Sequence, residues 1–467
     1  MQVRDFGFKF LGKLGNKKST QIESSRLGIG FETLDRDMWN VEHAWPVLED
    51  LGVKWARVQS GWAKTEKERG VYNFSWLDVI VDKLLERGVQ PWLSVSYGNP
   101  FYTPNATADA AGFPPIYTEV ERQGWTNYVR ALTEHFRSRV THYEIWNEPD
   151  CSGFFKPKPE PALYADLVKL TVTTIKAFQP DAFIVGGAFG RAMHPGGLTF
   201  MESCFRHGMA DFCDAISYHG YKVMPEQYIE QEFPAFIKLI KKYKPSLQYW
   251  QGETGCPSKN SPGCTMALSD MNVSEEIQVR WQIRRILLEL GLGASLINYF
   301  TMGDFSKYLL GGDLGFTSHK GILRMEDGSP KASYYSLQGL AGLLHNPVEP
   351  ADGRTSFRMQ TGDDDNSITR DQAAAAYQVN LLRGDVPVHA WWLREEVDKD
   401  SVWKSITMYY WLDESVRLPN PVLIDPASQE VYELSLKVNY GMDEFANLPI
   451  SNSPMLLTDR SIVNIRS

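Results

Sequence analysis

Between residues 26 and 345 the chain repeats one local rhythm eight times. A short apolar run comes first, and in nearly every case a stretch with helical periodicity follows it. The apolar runs are residues 27–31, 55–59, 90–95, 143–146, 182–187, 215–218, 247–252 and 295–300. One helix is predicted over 41–51. Another carries Leu77, Ile80, Val81, Leu84 and Leu85, which fall at i, i+3, i+4, i+7 and i+8. A third opens at Pro161, tolerated at a first helical position, and presents Leu163, Leu167 and Leu170 on one face. Ser274 reads as the N-cap of a fourth, with Glu275 and Glu276 in its first turn. Strands that alternate with helices must pair in parallel, and eight such units predict a closed (β/α)8 TIM barrel rather than an open doubly wound sheet.

The 467 residues leave room for a second unit. After residue 345 the rhythm becomes β-rich, with short runs at 377–382, 388–393, 405–412, 422–424 and 431–437. Turn signals such as Arg383-Gly384-Asp385 and Asp425-Pro426 split them. These predict an accessory β-sandwich domain over 346–467. Residues 1–25, where 6–10 alternate like a half-buried strand, are candidates to complete it. The runs 363–366 and 373–376 look like poor core material.

The stretch from His142 to Asp150 delivers an amide and a carboxylate, Asn147 and Glu148, at the C-terminal end of the fourth strand. Pro149 then stops the ladder, because it lacks the N–H that a central strand needs. The seventh strand ends in Glu253 in the same manner. Active sites of such barrels lie at the C-terminal ends of the strands, so one mouth collects residues far apart in sequence. It gathers Arg57 following strand two, Tyr97 and Asn99 after strand three, and His219 and Tyr221 after strand six. The alternative for Arg57 is a structural ion-pair partner inside the barrel, and His219 taken alone reads as a core histidine. Asp150 reads as a cap for the loop that follows it. Trp62, Trp92 and Trp125 are expected to pack in the core or under helices rather than to face a substrate.

Two carboxyl groups across one mouth suit glycoside hydrolysis, in which one protonates the leaving oxygen and the other attacks or activates water. A separation of ~5–5.5 Å gives retention and ~6.5–9.5 Å inversion, and both geometries stay open at this point. The Trp146-Asn147-Glu148-Pro149 run resembles the strand-four motif of the retaining glycoside hydrolases of clan A. Within the clan the chain is most similar to family 39, the β-xylosidase and α-L-iduronidase family. It shares the Tyr143-to-Pro149 stretch, the His219-x-Tyr221 pair and a β-sandwich beside the barrel.

The resemblance implies that Glu148 is the acid/base, Glu253 the nucleophile, and Asn147 a partner of the sugar 2-hydroxyl. Arg57 and Tyr221 would hold Glu253 ionised, and His219 would line the same wall. Asp150 replaces a commoner Asn, and Glu253 lies in Gly-Glu-Thr-Gly, so the glycone does not transfer with the motif. The strand-eight end lacks the Trp that many clan members stack on the sugar; Tyr299 or Phe300 is expected to substitute. The expectation is a retaining hydrolase of β-glycosidic bonds, exo-acting and β-xylosidase-like, with an endo-acting polysaccharide hydrolase as the alternative. A non-catalytic sugar-binding barrel is disfavoured because both acids are present.

No His-Glu-x-x-His, Cys-x-x-Cys or Walker-type run occurs, and Gly28-Ile29-Gly30 lacks the third glycine of a dinucleotide fingerprint. No metal and no cofactor are therefore expected. A net charge of −9 and a pI near 5.6 disfavour nucleic acid. No apolar run approaches the ~18 residues of a membrane span. The expected partner is an oligo- or polysaccharide or a glycoside, and the 14 Trp and 21 Tyr suit stacking on sugar rings. The N-terminus shows no secretory signal, so either the chain works in the cytoplasm or a signal has been removed. Five cysteines, an odd number, tip the expectation to a cytoplasmic protein with reduced thiols, while a Cys256–Cys264 pair stays open.

Overall fold

The computed structural model describes residues 3–466 except Asn105, Asp109 and residues 309–311, 361–366 and 440–441. Eight parallel strands close a barrel in sequential order. They are Leu27–Gly30, Trp55–Gln59, Gln90–Val95, His142–Ile145, Phe183–Phe189, Ala215–Tyr218, Gln248–Thr254 and Leu296–Tyr299. The ring closes where Leu27 pairs with Ile297. A buried cluster of Trp92, Val185, Ala215, Trp250 and Leu296 plugs the barrel. Trp92 meets Trp250 edge to face at 5.0 Å, an arrangement that aromatic quadrupoles favour. Trp62 and Trp125 are also fully buried, Trp62 stacking on Tyr102 and Tyr128, and Trp125 donating to Thr171.

Two antiparallel sheets form the accessory domain. One has eight strands and includes Lys9–Leu14 from the N-terminus, paired with Glu430–Glu433. The other has four, namely Thr355–Gln360, Lys404–Leu412, Met442–Ile450 and Lys437–Asn439. A second core fills the space between them, with Trp391, Met408, Leu423, Phe445 and Leu457 all buried.

Several local expectations shift. Predicted helix 41–51 splits into a 3-10 turn at Val41–His43 and an α-helix at Trp45–Leu51. Pro46 has no N–H to donate, so the regular helix starts around it. The expected strand at 6–10 begins instead at Lys9, because a 3-10 turn at Val3–Phe6 and Gly7 at φ +78° use up the preceding residues. The run 431–437 is two strands in different sheets, Glu430–Glu433 and Lys437–Asn439, with the chain crossing between them. The 363–366 stretch lies outside the described residues. Residues 373–376 are not idle, since Thr369 caps a short helix at Arg370–Ala375 that brings Ala373 against the second core.

A buried ion pair of the barrel anchors the accessory domain. Arg284, on helix Glu275–Gly291, donates through Nε at 2.8 Å and Nη2 at 2.6 Å to the two oxygens of Glu226. Trp392 of the large sheet donates to the same carboxylate at 2.7 Å. Removing one partner of such a pair leaves an uncompensated buried charge, which costs about 3–5 kcal/mol. Glu226→Ala is therefore expected to lower the thermal unfolding midpoint markedly. A midpoint within a degree or so of the parent would show that water or a neighbour takes over Arg284.

Candidate active site

The fourth strand ends at Ile145, and the backbone then turns sharply. Trp146 at φ +69° and Glu148 at φ +44° are both left-handed, a conformation that costs a non-glycine residue about 1–3 kcal/mol and persists only where the surroundings impose it. Here the Glu148 N–H is held by the Ala188 carbonyl at 3.0 Å, and the Trp146 indole donates to Phe154 at 2.7 Å. The turn brings Glu148 Oε1 to 2.7 Å from His219 Nδ1. Gly190 makes room for it, because a Cβ there would lie 2.8 Å from the Glu148 carboxyl carbon. Asp150 caps a different loop from the one expected. Its oxygens accept the amides of Gly190 at 2.9 Å and Arg191 at 2.8 Å, which ties the strand-four turn to the strand-five loop. Burial, with the charge of Glu148, pushes the Asp150 carboxyl up to about 6.

Across the mouth, Glu253 is gripped at both oxygens. Tyr221 donates to Oε1 at 2.8 Å and Arg57 Nη1 to Oε2 at 2.6 Å. Burial alone would push this carboxyl up, but the charges of His219 and Arg57 and the Tyr221 hydrogen bond outweigh it and hold the group below the usual range. His219 sits between the two acids, with Nδ1 also 3.8 Å from Glu253 Oε2. Burial pulls its imidazole down, yet Glu253 and the bond to Glu148 raise it overall. Arg57 is not a loop residue but the third residue of its strand, so it rises from inside the barrel. It also reaches Glu144 at 2.7 Å and Asn147 Oδ1 at 2.9 Å. Because guanidinium only donates, this contact fixes the Asn147 amide with its NH2 toward the cleft that Asn147 lines.

The cleft encloses about 530 Å³. Tyr97 lines it, with its hydroxyl accepting from Gln59 Nε2 at 3.2 Å. Asn99 does not reach it: the side chain donates to the Glu66 carbonyl and accepts from the Phe101 N–H, which makes it a buried loop clasp. Tyr299 is likewise turned away, donating to the Cys256 carbonyl at 3.2 Å, and Phe300 lines the cleft in its place. Glu32 and Lys320 escaped the sequence reading. Glu32 follows strand one and obeys the same strand-end rule, so it was there to be found. Its carboxylate folds back over Gly30, where a Cβ would stand 1.9 Å from Oε2, and Oε1 lies 3.4 Å from Arg57. Burial, opposed by Arg57 and reinforced by Glu253, pushes the Glu32 carboxyl up to about 8. Lys320 lies in an irregular segment 21 residues past the end of strand eight, where no local pattern points to it.

Donor atoms of Glu148, His219 and Glu253 all lie within 4.8 Å of one another. A metal would have to displace Arg57 and Tyr221 from Glu253, so the set fits acid–base and nucleophilic chemistry better than ligation. All five cysteines, including Cys256 and Cys264, are free thiols.

A parallel barrel that faces two carboxyl groups, from strands four and seven, across one pocket has the architecture of the clan A glycoside hydrolases. Residues 41–244 match the family model "Glycosyl hydrolases family 39", a stretch that takes in Arg57, Glu148, His219 and Tyr221 and stops short of Glu253. The chain is thus similar to glycoside hydrolase family 39 over a stretch that is just under half of its length. It is 24% identical over 339 residues to a β-xylosidase of Caldicellulosiruptor saccharolyticus, covering 64% of each chain. It is 23% identical over 192 residues to a β-xylosidase of Geobacillus stearothermophilus, covering 37% of this chain and 36% of that one. The matched stretches thus span about a third and just under two thirds of these relatives' lengths. Among solved structures it shares the fold of a family 39 glycoside hydrolase from Bacteroides cellulosilyticus WH2. That match has a TM-score of 0.65 and 20% identity, over 93% of this chain and 81% of the other. A family 39 β-xylosidase from Caulobacter crescentus matches with a TM-score of 0.58 and 16% identity, over 96% and 97%.

The close approach at residue 190 has a direct consequence. Gly190→Ala is expected to leave the barrel folded and to push the Glu148 carboxyl off its bond to His219. A crystal structure of the variant checks this; an unchanged Glu148–His219 spacing would mean that the strand-five loop yields instead.

Proposed function

We propose that the protein hydrolyses β-glycosidic bonds with retention, by double displacement between Glu253 and Glu148. The observation that carries this reading is the pair of carboxyl oxygens within 4.8 Å across the mouth, far closer than the ~6.5–9.5 Å that an inverting enzyme needs to seat a water. In the first step a Glu253 oxygen attacks the anomeric carbon while Glu148 gives its proton to the departing glycosidic oxygen. The bond to the leaving group breaks and a glycosyl ester forms on Glu253. In the second step the Glu148 carboxylate takes a proton from water, the resulting nucleophile attacks the same carbon, and Glu253 leaves as a carboxylate. Each half inverts, so the product keeps the starting configuration.

The surrounding groups suit these roles. An ionised Glu253 is the better nucleophile, and Arg57 and Tyr221 favour that form. The free NH2 of Asn147 can bond the sugar 2-hydroxyl, and Phe300 offers a face on which the ring can stack. A β-xyloside is the preferred substrate on the strength of the two β-xylosidase relatives. Exo action is preferred because segments after strands seven and eight, through Thr265, Met266, Phe305 and Phe316, wall the cleft into a pocket.

An aryl β-xyloside should be cleaved by the parent protein. Glu253→Ala should lose about 10³-fold or more in kcat, since it removes the covalent step, and azide should restore turnover with an inverted glycosyl azide as product. Glu148→Ala should slow activated aryl substrates less than unactivated xylobiose, and azide should there give a retained product. Silence on aryl glycosides with cleavage of internal bonds in a polysaccharide would replace the exo reading by an endo one.

A further inference from the structure

Lys320 reaches the cleft on the segment that returns from the strand-eight hairpin Phe305–Tyr308/Gly312–Ser318. Its side chain is buried, with 2% of the residue exposed. Among the described residues, no hydrogen bond satisfies the ammonium and no carboxylate lies within ion-pair distance. What it does touch is an aromatic face: Nζ stands 4.1 Å from the ring centroid of Tyr221. The hydroxyl of that same ring donates to Glu253 Oε1 at 2.8 Å. A cation, a phenol ring and a carboxylate therefore stand in series.

Resting on the retaining reading given above, we propose that Lys320 is a positioning residue for the Glu253 nucleophile and acts through the ring of Tyr221. An ammonium over a π face draws electron density from the ring, so the phenolic O–H becomes a stronger donor to the carboxylate behind it. The attraction also fixes the plane of the ring and hence the direction of the O–H. Both effects are large here because desolvation leaves the cation poorly screened. An ordinary space-filling lysine would have found a carbonyl or a carboxylate. This one has the ring, and the cleft beyond it.

The charges around the chain of groups are consistent with this. Lys320 is faced by Glu253 from strand seven, by Cys256 and Cys264 from the loop after it, and by Glu148 from the strand-four turn. Burial pushes the ammonium down to about 8 against their pull, and burial also pushes the Cys256 thiol up to about 12. Below about pH 8 the lysine is therefore a cation beside a neutral thiol. Glu253 is faced by His219, Arg57, Tyr221 and Lys320, and by Glu32 on the strand-one side.

The test needs no substrate. Glutamate carrying 13C at the carboxyl is incorporated, the Glu253 resonance is assigned by its loss in Glu253→Gln, and its titration midpoint is followed by NMR. Removal of a favourable cation must raise the midpoint, so Lys320→Met should move it up by about one pH unit, while Lys320→Arg should leave it low. In a Tyr221→Phe background the hydroxyl is gone, and Lys320→Met should then move it by less than half as much. An unmoved midpoint in folded Lys320→Met overturns the proposal. So does an equal shift in both backgrounds, since Lys320 would then act on Glu253 directly. The acid limb of kcat/KM for an aryl xyloside should follow the same midpoints, so that Lys320→Met loses roughly tenfold at a pH below both midpoints and little at neutral pH. The Glu253→Ala azide assay run alongside separates the two readings. Rescue there with no effect of Lys320→Met sinks only this inference, and absence of rescue sinks the nucleophile assignment whatever Lys320 does.

Discussion

A single buried cation organises the mouth of this barrel. Arg57 is fully enclosed and touches carboxylates from three other strands or their ends, Glu32, Glu144 and Glu253, together with the Asn147 amide. A guanidinium stripped of water costs several kcal/mol unless its fork is filled, and a buried carboxylate costs as much unless it is paired. The groups are thus obliged to meet in one geometry. Three features follow from it: the ionised state of Glu253, the orientation of Asn147 and the inward folding of Glu32 over Gly30. The barrel supports the arrangement from below with close-packed Trp92 and Trp250, and Arg57 lies over the Trp92 ring.

The two acids are held by different means. Glu253 lies within its strand, where the pairing with strand eight shifts register between Gln251 and Thr254, and is fixed by charge and hydrogen bonds. Glu148 sits beyond the end of its strand on a left-handed turn, and is fixed by backbone strain, by Asp150 and by the absence of a side chain at Gly190. A nucleophile must approach one carbon along one line, which suits rigid anchoring, whereas an acid/base exchanges protons with a leaving group and then with water. His219 touches both and leaves its Nε2 buried without a partner, so any change in its protonation is felt on both sides of the cleft.

The accessory domain stays clear of the chemistry but is not a loose appendage. Its first strand comes from the N-terminus, so the chain leaves the large sheet, builds the barrel and returns. The bond from Trp392 to the buried Glu226–Arg284 pair of the barrel ties that return down, because undocking would leave the Trp392 indole without this partner.

The order and type of the barrel strands were legible in the sequence, because apolar runs of strand length alternating with helical periodicity allow few other closed folds. Glu148 and Glu253 were legible too, since both end apolar strands and the barrel puts all such ends on one face. Local pattern could not separate Tyr299 from Phe300, or see that Asn99 closes a loop, because neighbours on a strand end differ only in which way the turn after them points. It missed the sheet change after Glu433 for a similar reason: an unbroken β-rich run does not say which sheet it joins. Lys320 marks the limit. Nothing near it in the chain distinguishes it from a surface lysine, and its place beside Tyr221 depends on how an irregular segment packs back over the mouth. Periodicity is a property of neighbouring residues and can be read in one dimension. The approach of a cation to a ring about 100 residues away in the chain is decided only when both are packed against the same wall.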